Sequence, residues 1–283
     1  MAVQTAAPAP SSKAQGGRAV DVQRTDNWWS GTLFFFVVFS AFGAWATFRA
    51  FQNDFYDTAD TAQHLALFGG AHYLSPFYSP TIKLSFQLGH FNISPALLIL
   101  PFPLSFRLSC YYYRKMLYRG YLADPLGCAV KEPAPLGAMR YKKYRGERAF
   151  PLIVQNFHRY AFFAAVVFIL LLWKDTFEAF LFTDAGGVTH FGMGLGTLVF
   201  LVNICLLTLY TFSCHSWRHF VGGGTDCYSC SVMNKTRHGL WMKVSYLNER
   251  HGLFAMCSLI SVGLVDVIVW LIASGRLHDI RFF

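Results

Sequence analysis

The run TFSCHSWRHFVGGGTDCYSC holds the densest set of groups that do chemistry: Cys214, His215, His219, Cys227 and Cys230. If a helix continues past Ser213, His215 and His219 share one face at i and i+4, a spacing that lets two imidazoles reach one ion. Gly222, Gly223 and Gly224 let the backbone turn sharply and return Cys227 and Cys230 over the helix end. Two thiolates and two imidazoles suit zinc in a closed site. They equally suit a [2Fe–2S] cluster with two histidines on one iron, the Rieske arrangement. His215, His219, Cys227 and Cys230 are therefore the first-choice ligands. Cys110, Cys128, His158, Cys214 and His251 are the alternates, and spacing alone does not choose among them.

The elements that position these groups are membrane spans. With 54% hydrophobic, 18% aromatic and 14% charged residues, the 283-residue chain has too few charges for an ordinary soluble protein. Disorder outside the ends, collagen, coiled coil and a secreted disulfide scaffold are excluded. The expected fold is all-α: a five-transmembrane-helix bundle with spans at about 32–48, 91–106, 157–174, 191–213 and 252–274. The second is short and holds Pro95, Pro101 and Pro103, which predicts a kink. Cys110 ends this span, Cys214 follows the fourth, and His158 and His251 open the third and fifth, so four helices each bring a Cys or His to one border.

Charge fixes the expected orientation. Nineteen of the 24 Lys and Arg residues fall on one side of these spans, which the positive-inside rule makes the cytoplasm. The amino terminus is then cytoplasmic and the carboxyl terminus external, and the formal charge of +9 needs no nucleic acid. Residues 1–26 read as a disordered cytoplasmic tail, ahead of a single bundle over 27–276 with cytoplasmic loops 107–156 and 214–251. The external run TAQHLALFGGAHYL reads as a short interfacial helix. In the reducing cytoplasm the border cysteines are expected as thiols or metal ligands rather than disulfides. Cys205 and Cys257 are expected as small apolar core residues. Asp266, inside the fifth span, reads either as a hydrogen-bonded structural carboxyl facing Asn203 or as a proton-handling group. Lys174, Asp175 and Glu178 read as solvated residues past a span end. No internal repeat is evident.

Two other cofactor readings use the same histidines. Haem b between helices needs histidines well inside facing spans, and no span has a central one; His90 and His190 fall on the external side. Membrane di-iron hydroxylases need more histidine boxes than the five border residues His158, His215, His219, His238 and His251 provide.

The strings SCYYYRKMLYRGYLADPLGCAVKEP, RGERAFPLIVQNFHRY, TFSCHSWRHFVGGGTDCYSC and LNERHG resemble the large membrane-anchor subunit of actinobacterial succinate dehydrogenases, from about Arg107 to Ser274. The resemblance implies a cell-membrane subunit of succinate:quinone oxidoreductase, partnered by an iron–sulfur subunit, a flavoprotein and in some members a further small membrane subunit. It also implies quinone, menaquinone first, as acceptor, and a Rieske-type cluster where other anchors hold haem b. The boxes of soluble Rieske domains, C-x-H-x-G-C and C-x-x-H, are absent. Quinone would bind at the same border, with His158, Arg159, Tyr160 and the Trp28–Trp29–Ser30 entry as its candidate contacts. The chain alone, lacking a dinucleotide fingerprint, is not expected to oxidise succinate. A zinc-stabilised membrane protein whose basic loop recruits a soluble partner is the alternative.

Overall fold

The stretch Trp28–Gln52 is apolar, free of proline and 25 residues long, so it forms one uninterrupted helix, α1. At 1.5 Å per residue it reaches about 37 Å, more than the roughly 30 Å of a bilayer core. Phe34, Phe36, Val37 and Phe48 stay exposed along it, as lipid contact requires. It stops where Asn53 turns left-handed at φ 50°. The computed structural model describes residues 27–58, 70–81, 86–88, 91–122, 152–184 and 187–283.

The remaining elements are β1 (Gly70–Ala71), β2 (Phe86–Leu88), β3 (Phe91–Ile93), α2 (Pro95–Ile99), α3 (Pro101–Ser109) and α4 (Tyr111–Leu122), then α5 (His158–Glu178), β4 (Leu181–Thr183) and β5 (Thr189–Phe191). They close with α6 (Leu195–Phe212), α7 (His215–Gly222), α8 (Val232–Glu249) and α9 (His251–Ala273). A 3-10 turn, Leu152–Phe157, leads into α5. Among the described residues, four helices have the length and apolar character to cross a membrane: Trp29–Gln52, Ile153–Glu178, Leu195–Phe212 and His251–Ala273.

The expected span over 91–106 takes another form. Residues 91–93 are β3, paired antiparallel with β2. Ser94 then accepts from the Ala96 N–H and Pro95 opens α2, a favourable helix start. Pro101 opens α3 directly behind Leu100, so the apolar helical stretch Pro95–Ser109 is short and in two pieces. The expected loops are also more ordered than read: α4 occupies part of 107–156, and α7 and α8 fill most of 214–251. The tail 1–26, Cys128 and most of the run TAQHLALFGGAHYL lie outside the described residues, and Gly70–Ala71 at the end of that run is strand.

The long helices alternate in direction. Phe106 meets His158 and Phe162, Trp173 bonds Thr208, and Tyr210 meets His251, so α3, α5, α6 and α9 follow one another antiparallel. One end of the bundle thus gathers the end of α3, the start of α5, the end of α6 and the start of α9. The core between them is Phe106, Ala161, Phe162, Tyr210, Ala255 and Leu259. Cys205 is exposed and Cys257 half-buried, so neither takes the core role expected of it.

The opposite end is locked by polar contacts. Arg49 and Asp266, both with fully buried side chains, pair at 2.9 Å. Asp266 also accepts from Trp45 Nε1 at 2.7 Å and from Ser75 Oγ. Arg49 donates to Gln52 and to the Asp54 and Phe55 carbonyls. Asp266 is therefore a structural carboxyl whose partner is Arg49 rather than Asn203. Asp175 is likewise buried, accepting from Ser79 Oγ at 2.5 Å, while Lys174 and Glu178 pair at 2.6 Å nearer solvent. All three belong to α5 rather than lying past its end.

Candidate functional site

At the first end of the bundle two cysteines stand at joints between helices. Cys110 takes an extended backbone, φ −71° and ψ 129°, between α3 and α4. Cys214 does the same, φ −65° and ψ 145°, between α6 and α7, where its sulfur accepts from the Ser216 N–H. Each joint is a Ser–Cys dipeptide, Ser109–Cys110 and Ser213–Cys214. Each is followed in the fold by a histidine opening the next long helix, His158 and His251.

The two Ser–Cys joints and the two histidines are wired crosswise. Ser109 Oγ meets His158 Nδ1 at 3.0 Å, and His158 Nε2 meets Cys214 Sγ at 2.9 Å. Ser213 Oγ meets His251 Nδ1 at 2.8 Å, and His251 Nε2 meets Cys110 Sγ at 3.5 Å. The Ser109 hydroxyl donates to the Ser105 carbonyl at 2.6 Å, and that of Ser213 to the Tyr210 carbonyl at 3.2 Å. Each hydroxyl has one proton, so toward histidine each serine accepts. That places a proton on both Nδ1 atoms and leaves both Nε2 lone pairs facing a thiol. This is the state in which imidazole ligates a metal, its other nitrogen held by a hydrogen bond.

The surroundings are apolar and aromatic. Cys110, Cys214 and His251 are each no more than 2% exposed. Phe106 stacks on His158 and Tyr210 on His251. Burial raises the thiol pKa of Cys110 and pushes that of Cys214 up to about 11, so both carry their protons at neutral pH. A coordinated metal would replace those protons. Arg107, one turn before Cys110, donates to Tyr113 and lies 5.0 Å from the Tyr210 ring centre, a fixed positive charge beside the site. Burial pushes the Tyr113 hydroxyl, which donates to the Ala255 carbonyl at 2.5 Å, up to about 12.

A cavity of about 620 Å³ opens onto these groups. Its lining includes Cys110, His158, Cys214 and His251 together with Gln155, Arg159, His215 and His219. His215 and His219 do share a helix face, their Nε2 atoms 2.9 Å apart and exposed. Burial lowers the pKa of His215, with the neighbouring His219 and Arg218 adding to the effect. Cys227 and Cys230 are joined to each other in a disulfide, against the expectation of free thiols, and neither offers a thiolate to those histidines. Gly224, at φ +69°, makes the turn between α7 and this pair, and Arg237 binds the Val221 and Gly223 carbonyls to hold it. Among the described residues, no three His, Cys, Asp or Glu side chains converge as a single ion requires.

Of the quinone candidates, His158 and Arg159 line the cavity. Trp28 opens α1. Trp29 is exposed, and Ser30 is occupied with the Asn27 carbonyl. Tyr160, 63% exposed with Phe157 beside it, is not among the residues that line the cavity. Sequence reading missed Ser109, Ser213 and Arg107. The first two had a signal: Ser–Cys closing an apolar run, then His opening the next, occurs twice.

A profile of the actinobacterial succinate dehydrogenase subunit SdhC matches residues 30–275. The chain belongs to that family. It also resembles a chain of the Mycobacterium smegmatis Sdh1 complex in the apo form, at 40% identity and a TM-score of 0.74, over 96% of this chain and 98% of that one. No curated protein sequence matches it. As an SdhC-family chain it is a multi-pass membrane anchor of an actinobacterial succinate dehydrogenase complex, and it assembles with partner subunits of that complex.

Proposed function

We propose that this SdhC-family anchor relays electrons from an iron–sulfur partner to membrane quinone through a [2Fe–2S] cluster held by Cys110, Cys214, His158 and His251. The observation that carries the reading is the crossed pair of Cys–His contacts, each imidazole held at Nδ1 by a serine from the other joint. Two thiols and two imidazoles match a centre in which two His replace two Cys on one iron. His215 and His219, exposed and paired with each other, and the bonded Cys227 and Cys230 are set aside as ligands.

When bound, such a cluster supplies a one-electron relay whose His ligation raises its potential above that of an all-Cys centre. The protein's own groups do the rest. Burial of both cysteines excludes water, the serines hold the imidazoles in the ligating tautomer, and Arg107 adds positive potential that favours the reduced state. The cavity beside the pairs takes the quinone head, with Arg159 able to donate to a carbonyl oxygen and menaquinone the first choice of acceptor.

The topology we propose has five traverses, with Pro95–Ser109 and its flanks as the second, the amino terminus cytoplasmic and the carboxyl terminus external. The antiparallel run of α3, α5, α6 and α9 supports it, as does the sequence, which assigns nineteen of 24 basic residues to segments on one side of the spans. The iron–sulfur subunit, with the flavoprotein beyond it, then docks on the cavity side.

The test is iron and acid-labile sulfide in the isolated complex, set against the content of its soluble subunits, with low-temperature EPR. We expect one extra pair of irons and a reduced signal of low average g, both lost in His158→Ala or His251→Ala. A Soret band in place of that signal establishes the haem b reading. No extra iron, with zinc in its place, establishes the structural one.

A further inference from the structure

The HxxxH motif of α7 is left unused once the cluster is assigned to the four buried groups. We propose that His215 and His219 form a separate surface site for a borderline-soft divalent cation, zinc fitting best, at the mouth of the cavity. Both rings belong to α7, both are exposed, and their Nε2 atoms face each other at 2.9 Å. Two nitrogens at about 2.0–2.1 Å from a tetrahedral zinc stand roughly 3.3 Å apart, so the rings need to open by only a few tenths of an ångström. The helix already fixes the i, i+4 geometry that brings the pair to one ion.

Within the described residues of this chain the rest of the coordination shell is open. Neither residue has a carboxylate or thiolate beside it among the described residues, so water completes the tetrahedron and binding is reversible. Copper(II) is expected to compete, being the stronger binder at imidazole sites, whereas calcium and magnesium prefer oxygen ligands. Because both histidines line the cavity that holds His158 and Cys214, an ion there narrows the route into it. Zinc is thereby expected to slow transfer to quinone; this consequence, though not the binding, rests on the function proposed above.

The experiment uses the purified holo-complex in detergent, cleared of loose metal with a weak chelator, and zinc chloride as the probe. Equilibrium dialysis compares the wild type with His219→Ala and His215→Gln, each accepted only if its iron content and melting temperature match the wild type. We expect each wild-type complex to bind one more zinc than a complex lacking either histidine, and the affinity to fall at least tenfold on either substitution. Equal zinc uptake by all three proteins, or none by the wild type, overturns the site. In a second arm, zinc is titrated into succinate oxidation with quinone or with a soluble dye that takes electrons upstream. Inhibition confined to quinone, with the half-inhibiting zinc raised tenfold in His219→Ala, supports closure of the cavity. Zinc bound without such inhibition overturns the closure while leaving the site standing.

Discussion

The two ends of the bundle bury polar groups in opposite ways. At the Arg49–Asp266 end each charge is answered: the carboxylate accepts from Arg49, Trp45 and Ser75, and the guanidinium is spent on Asp266, Gln52 and two carbonyls. At the Cys110–Cys214 end the cysteines and histidines are neutral, and two imidazole lone pairs face two protonated thiols beside a cavity. Saturated burial makes a clasp, and its removal is felt as instability. Burial that leaves donor atoms in reserve makes a place for a ligand. Depth in the bundle does not tell them apart; the chemistry of the buried partners does, charged and oxygen-bound at one end, sulfur and imidazole nitrogen beside a cavity at the other.

The largest test of this contrast replaces Cys110 or Cys214 with serine. We expect complete loss of the extra iron and of succinate–quinone activity, with the dye-linked activity of the soluble subunits retained. A serine variant that keeps its iron would erase the distinction between the ends. Next comes Asp266→Ala, which strands a buried Arg49 and is expected to destabilise the chain by about 3–5 kcal/mol. Thermal unfolding of the complex reports it, and the surviving fraction should keep an unaltered EPR spectrum. Replacing both partners by apolar residues, Arg49→Met with Asp266→Leu, should restore most of that loss.

Smaller effects sharpen the picture. Ser109→Ala and Ser213→Ala each free one imidazole from its Nδ1 partner, and we expect a tenfold to about hundredfold loss in iron retention against a chelator. The EPR g-values should shift as well, which a merely structural role would not cause. A substitution that leaves both unchanged removes the serines from the mechanism. The smallest effect belongs to His72, whose pKa is raised above its ordinary 6.5 by its hydrogen bond to Asp57 at 2.9 Å. A raised value means the pair stabilises fully below about pH 6.5, and the contribution fades as pH climbs through the folded-state pKa. Part-exposed, it is worth about 0.5 kcal/mol or less. Melting of His72→Gln should approach the wild type as pH rises above about 6.5, and a constant gap would refute it.

Much of this was legible in the residues. Apolar runs marked α1, α5, α6 and α9 to within a few positions, and border Cys and His residues marked the end that matters. The second apolar run, expected as short and kinked, is helical over Pro95–Ser109 in two pieces; it begins later than expected because Pro95 and Pro101 each open a helix and residues 91–93 found a strand partner in β2. The ligand set favoured by spacing, His215 to Cys230, lies within one short stretch. Its rivals come from four helices, and which donors meet across helices is decided by packing that no local spacing records. Arg49 was not singled out, since nothing along the chain announces that α1 and α9 run side by side with Asp266 at the same height.

Cys110 and Cys214 sit where the chain changes course rather than inside a helix. Anything gripping both sulfurs therefore acts as a rivet through two elbows, fixing the angle at which α4 and α7 leave the membrane. If the proposed cluster is what grips them, its loading and the shape offered to an arriving subunit become a single event.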